Sequence, residues 1–154
     1  MIMLINMSLE TQIMQDIKEA MLSKNSLKLE VFRSIKSAIL LVKTERGAED
    51  LTEEKEIEIL QKLLKQRKES QKIYNEQNRL DLAKYEANQA SIISQYLPEP
   101  YTLEELEELI MGLIEELNIS SKQEMGKLMS AVMNKAKGRA DGKTISNIVK
   151  EKLG

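Results

Sequence analysis

Both prolines of this 154-residue chain stand in one seven-residue stretch, Tyr96-Leu97-Pro98-Glu99-Pro100-Tyr101-Thr102. The residue before a proline is pushed out of helical geometry, so no helix can run through Leu97. On either side, apolar residues recur every three or four positions, the spacing of one helix face. Ser8 is placed to cap a first helix carrying Leu9, Ile13, Ile17 and Met21. Asn25 or Ser26 opens a second, with Leu27, Val31, Ile35, Ile39 and Val42 as its buried row, stopped by Gly47. Thr52 caps a third, with Glu53 and Glu54 in the first turn and Ile57, Leu60, Leu63, Leu64 and Tyr74 inward, fading near Asn78. Asp81 is expected to cap a fourth, with Leu82, Tyr85, Ile92 and Ile93 facing in.

Beyond the prolines, Thr102-Leu103-Glu104-Glu105 is a capping box, followed by Leu103, Leu106, Leu109, Ile110, Leu113, Ile114 and Leu117 at helical spacing. Ser121-Lys122-Gln123-Glu124 reads as a second box, opening a helix over Met125 to Ala136. Gly126 in that helix is expected to allow close helix approach. Gly138 falls where a left-handed residue ends a helix, and Asp141 can cap a last one carrying Ile145, Ile148, Val149 and Leu153. Gly138, Asp141 and Gly142 thus read as the turn of a helical hairpin. One Phe, four Tyr and no Trp leave only aliphatic side chains for the core. The expected fold is all-α: an extension over 1–6, a helical domain of about four helices over 7–97, and a three-helix tail over 98–154. A tail of this size is near the limit for a single core.

The turn stretch K-G-R-A-D-G-K-T looks like a phosphate-binding loop, but three residues separate its glycines where that loop needs four. A helix, not a buried strand, precedes it. With no Cys and no His, thiol nucleophiles, imidazole bases and Cys/His metal sites are excluded. No activated serine stands out, and no carboxylate occupies an apolar position where burial would tune it. Glu104, Glu105, Glu107 and Glu108 could attract a hard cation, yet they read better as a solvated acidic face. No catalytic residue, metal ligand or cofactor is therefore expected. The apolar start, Met1 to Ile5, is too short for a signal core, and nothing later has the length of a membrane span. A cytoplasmic protein is expected.

A net charge of −2 conceals strong segregation. Glu99 to Asn118 carries seven acids and no base, whereas Ser120 to Gly154 carries eight bases and three acids. Lys127, Lys135, Lys137, Arg139 and Lys143 lie along one helix and its turn, an arrangement suited to phosphate contact. With no aromatic after Tyr101 to stack on bases, such a surface would read the backbone and shape of a folded RNA. Lys62, Lys65, Lys68 and Lys72 share a third of the circumference of the third helix, either as a solvated face or as a second contact. Docking of a protein partner by that stripe or by the acidic face is the alternative to RNA.

The sequence Met125-Gly126-Lys127-Leu128-Met129, with Val132-Met133, Lys137-Gly138-Arg139-Ala140-Asp141-Gly142-Lys143, Asn147 and Lys150-Glu151-Lys152-Leu153, strongly resembles the YqeY family of small bacterial proteins. Lys65-Gln66-Arg67-Lys68-Glu69-Ser70, Arg79, Asp81-Leu82, Glu86 and Tyr96-Leu97-Pro98-Glu99 extend the likeness to nearly the whole chain from Met7. The tail is also similar to that of the B subunit of the tRNA-dependent amidotransferase. The resemblance implies a helical domain followed by a small helical tail that helps hold tRNA, with structured RNA or a translation-related protein as partner. It also implies a family label of amidotransferase, or carbon–nitrogen ligase with glutamine as donor, whose catalytic parts this chain lacks.

Overall fold

The computed structural model describes residues 7–47 and 49–154; Met1 to Asn6, read above as an extension, lie outside the described residues. Those residues form seven α-helices and a single 3-10 turn, with no strand among them: an all-α protein. The chain divides into two compact units, Met1–Leu97 and Pro98–Gly154. The first contains α1 (Leu9–Leu22), α2 (Ser26–Glu45), α3 (Glu53–Glu76) and α4 (Leu80–Ser94). The second contains α5 (Leu103–Glu116), α6 (Met125–Ala136) and α7 (Gly142–Leu153). Among the described residues no helix is long and apolar enough to cross a membrane.

The helices start where short polar side chains can take up an orphan N–H. Ser8 accepts from the amide of Thr11, Asn25 from Lys28 and Thr52 from Lys55. Helix α4 differs from expectation, because Arg79 rather than Asp81 stands at its cap and no side chain closes it. The cause is the tight reversal before it. Asn78 is left-handed, with φ of 58°, and the amide of Arg79 donates to the Tyr74 carbonyl at 2.8 Å, so the helix begins early at Leu80. Asp81 becomes a first-turn acid facing the helix dipole.

Ile13, Val31, Ile35, Ile39, Leu60 and Ile93 are the most enclosed side chains of the first core. Ile17, Leu27, Val42, Leu63 and Leu64 pack around them, as their spacing predicts. Met21, expected inside, is 55 % exposed, and Ala20 is buried in its place. The chain reverses just beyond Ala20, whose carbonyl accepts from the Asn25 amide at 2.9 Å, and that turn leaves Ala20 rather than Met21 covered. Tyr85 is likewise mostly outside, its hydroxyl donating to Glu30. Ile92 and Ile93 are buried as expected, and Ala83, Glu86, Gln89 and Ala90 complete the inner face of α4.

Glu86 corrects the expectation that no carboxylate sits at an apolar position. Its side chain is 9 % exposed, and Oε1 lies 2.9 Å from Nη1 of Arg67 on α3. That oxygen has no hydrogen bond of proper geometry, so the ion pair alone meets its charge. Removing one partner of such a pair costs more than removing both, because a charge is left stranded. Arg67→Met should destabilise the first unit by about 3 kcal/mol, and Arg67→Met/Glu86→Leu by clearly less, as read by urea denaturation.

Tyr96 seals the same core. Its ring meets Phe32 edge-on at 5.9 Å, and its hydroxyl donates to Asp16 on α1. Burial, then the bond and charge of Asp16, hold the phenol protonated well above its ordinary range. A phenol raised by folding contributes stability that is complete below the unfolded value of about 10 and is lost as pH rises through it. Thermal melts between neutral pH and about pH 11 should therefore show a steeper alkaline loss for the wild type than for Tyr96→Phe.

Candidate nucleic-acid interface

The second unit closes on Leu106, Ile110, Leu113, Ile119, Leu128, Val132, Ala136, Ile145, Ile148 and Val149. The predicted capping box opens α5: Thr102 accepts from the Glu105 amide at 3.1 Å, and Glu105 accepts from the Thr102 amide at 2.9 Å. Hydrogen bonds to the carboxyl from the Thr102 amide, then from the Thr102 hydroxyl, hold Glu105 below its usual range. The second predicted box does not form. Ser121 makes no cap bond, a 3-10 turn over Lys122–Glu124 precedes α6, and Glu124 reaches back to the amide of Ser120 at 2.9 Å. Neither half of the reciprocal pair is made, because the tight turn carries Glu124 past the Ser121 amide to that of Ser120.

Between α6 and α7 the backbone bends sharply. Lys137 (φ 37°) and Gly138 (φ 84°) are both left-handed, so the reversal uses one residue more than the glycine expected to make it. The Lys137 amide donates to Met133 and the Arg139 amide to Ala136, closing the end of α6. Asp141 then caps α7, accepting from the Thr144 amide at 2.7 Å. Gly142 begins α7, where an added Cβ would meet the Met133 side chain at 3.9 Å. Gly126 has no such role: it lies exposed in the first turn of α6, and an added Cβ would meet nothing within 4 Å. The close helix approach expected there is absent because the glycine faces away from both neighbouring helices.

The five cations picked from the sequence do not form one cluster. Arg139 is half-buried and committed to the fold. Its guanidinium lies 3.8 Å from the centroid of the Tyr101 ring, its Nε donates to the Glu99 carbonyl at 2.7 Å, and its own carbonyl accepts from the Tyr101 amide at 2.8 Å. It therefore clamps the segment leading into α5 onto the turn. Lys135 is exposed but lines a shallow groove with Glu108, Leu109, Gly112, Leu113 and Glu116, among acids of α5. Lys127 is exposed ten residues before Lys137, about 15 Å away along the helix. Lys137 and Lys143 remain, exposed on either side of the turn.

One cation missed by the sequence reading joins them. Lys150 is exposed seven residues after Lys143, two helical turns on, so the two share a face of α7 with exposed Asn147 between them. The periodicity of α7 alone could have found it. None of Lys127, Lys137, Lys143 and Lys150 is ion-paired among the described residues, where the cation of this unit that is paired is Lys152, 3.9 Å from Glu107. No group of three or more carboxylates among the described residues is placed to hold a metal ion.

A family model described as Yqey-like protein matches residues 10–153. The chain belongs to the YqeY family. Among its relatives is the fungal protein called altered inheritance of mitochondria protein 41, mitochondrial. The form from Clavispora lusitaniae is 28 % identical over 136 residues, covering 88 % of this chain and 69 % of the relative. The form from Pyrenophora tritici-repentis is 30 % identical over 143 residues, covering 90 % of this chain and 77 % of the relative. Within this YqeY chain, the structure also joins two positions on which the resemblance rested, Arg67 and Glu86, in the ion pair described above.

The clamp separates the structural and electrostatic contributions of Arg139. A cation–π contact and a charged hydrogen bond together contribute about 1–3 kcal/mol. Arg139→Ala should cost about that much, and Arg139→Lys most of it, since an ammonium keeps the charge but neither the planar stack nor the Nε donor. In both variants hydrogen exchange at the Tyr101 amide should accelerate while exchange at the Ile13 amide in the first core does not change.

Proposed function

We propose that the C-terminal unit is a non-catalytic docking module for structured RNA, with tRNA as the leading candidate, and that Lys137, Lys143 and Lys150 contact backbone phosphates. The observation that carries this reading is the run of exposed, unpaired lysines from the turn along one face of α7. The sequence likeness of this unit to the tail of the tRNA-dependent amidotransferase supports it. Such a surface attracts phosphate whatever the base sequence, and without aromatic platforms it favours shape over base identity. Arg139 serves by fixing the turn that displays Lys137 and Lys143. An aqueous compartment with abundant folded RNA, the cytoplasm, suits this role.

Titrating the full chain with tRNA across a salt series tests the reading. Three phosphate contacts at about 0.7–0.9 each give a slope of about −2 to −3 in log affinity against log salt. Lys137→Gln/Lys143→Gln/Lys150→Gln should abolish most of that slope, while Lys135→Gln, whose side chain lies among acids, should change it little. No binding at low salt, or binding insensitive to salt, would overturn the proposal.

A further inference from the structure

Two charged faces take no part in that docking surface, and they match each other. On α3, Lys62, Lys65, Lys68 and Lys72 are all exposed and unpaired among the described residues. At 100° per residue they fall within about 120° of the helix circumference, and ten residues put the first and last about 15 Å apart along the axis. From 61 to 75 the chain carries five bases and one acid, Glu69. The fifth base, Arg67, is turned inward to Glu86. On α5, Glu104, Glu107, Glu108 and Glu115 are exposed within about 100° of each other, and eleven residues put the ends of the row about 16 Å apart. Met111 lies within that row and is 54 % exposed. Glu107 has one distant cation, Lys152 at 3.9 Å, and the other three acids are in no ion pair among the described residues, although Glu108 shares its groove with Lys135.

We propose that the α3 lysine stripe docks the α5 glutamate row of a second copy of this chain. The two rows are opposite in net sign and nearly equal in length, and although exposed Glu69 lies among the lysines of the α3 row, helices laid side by side can pair most of their charges. Because each chain carries both rows, a second copy can offer either row its opposite charge. Exposed ion pairs are individually weak, so the assembly depends on their number and dissociates as salt screens them. A phosphate backbone would account for the lysines alone. A second copy accounts for the glutamates as well, and it stands independently of RNA docking by α7.

Sedimentation equilibrium of the full chain tests this, with circular dichroism to confirm that each variant keeps its helices. The wild type should self-associate at about 20 mM salt and be monomeric at about 500 mM. Lys65→Glu/Lys68→Glu and Glu104→Lys/Glu108→Lys should each weaken association about tenfold or more, and the chain carrying all four changes should regain it. The milder Lys65→Gln/Lys68→Gln should weaken it too, and serves if charge reversal unfolds the helix. A wild type that is monomeric at every salt, or a dimer indifferent to both reversals, would overturn the proposal. So would a monomer in which Lys65→Glu/Lys68→Glu lowers tRNA affinity as much as loss of the α7 lysines, since the stripe would then be an RNA surface.

Discussion

Aliphatic packing between short helices is the constraint on which the second unit depends. Its buried core is Leu, Ile, Val and Ala, and the ring packed against it, Tyr101, is only half-buried. A core of that size leaves little margin over chain entropy. The ends of the helices must therefore be closed by other means, and this chain closes them with charge and hydrogen bonds. The Thr102–Glu105 box fixes the start of α5, Asp141 fixes the start of α7, and the Arg139 guanidinium ties the segment before α5 to the turn after α6. The first unit can rely on Phe32 and Tyr96 packed edge to face, and it tolerates a buried ion pair that an aliphatic pair could replace.

This division of labour explains which cations are left over. Arg is suited to structural tasks that need a flat, forked donor, and both half-buried arginines are used that way: Arg67 on Glu86 and Arg139 on Tyr101. Lys62, Lys65, Lys68 and Lys72 of α3 and Lys143 and Lys150 of α7 have no such internal work among the described residues. Their solvated ammonium groups stay outside, available to whatever anion arrives. A reading that counts positive charge without asking what holds each group overestimates a surface, and Arg139 and Lys135 show both ways of doing so. One is bound to the backbone, the other shares a groove with glutamates.

Helix number, order and most starts were legible from the chain because caps and apolar spacing are local signals. Ser8, Asn25, Thr52, Thr102 and Asp141 all cap as their residue types require. What failed depended on neighbours distant in sequence or on turns of unusual geometry. Ala20 replaced Met21 because of the reversal above it, and the inward face of α4 was hidden because Glu86 reads as a surface residue until Arg67 is brought beside it. The 3-10 turn before α6 undid a capping pattern that was correct in spacing but wrong in backbone path. For the candidate interface, composition marked the region and helical phase, had it been followed along α7, would have added Lys150, but only the folded turn shows that Arg139 is occupied.

The segregation of charge gives the two surfaces a physical connection. At ordinary ionic strength the screening length is about 8 Å, so the acids of α5 act on an approaching phosphate chiefly where they lie close to its path. Their effect on RNA docked at α7 is thus a local repulsion set by α5 alone, and the near-neutral total charge of the chain says little about it. A second copy seated on α5 would place lysines over those same glutamates and reduce that repulsion. Binding free energies at linked sites are reciprocal, so RNA held at α7 would in turn favour the covered state of α5. If both proposals hold, assembly would be tied to ligand occupancy by charge compensation on one helix, without either core changing its packing.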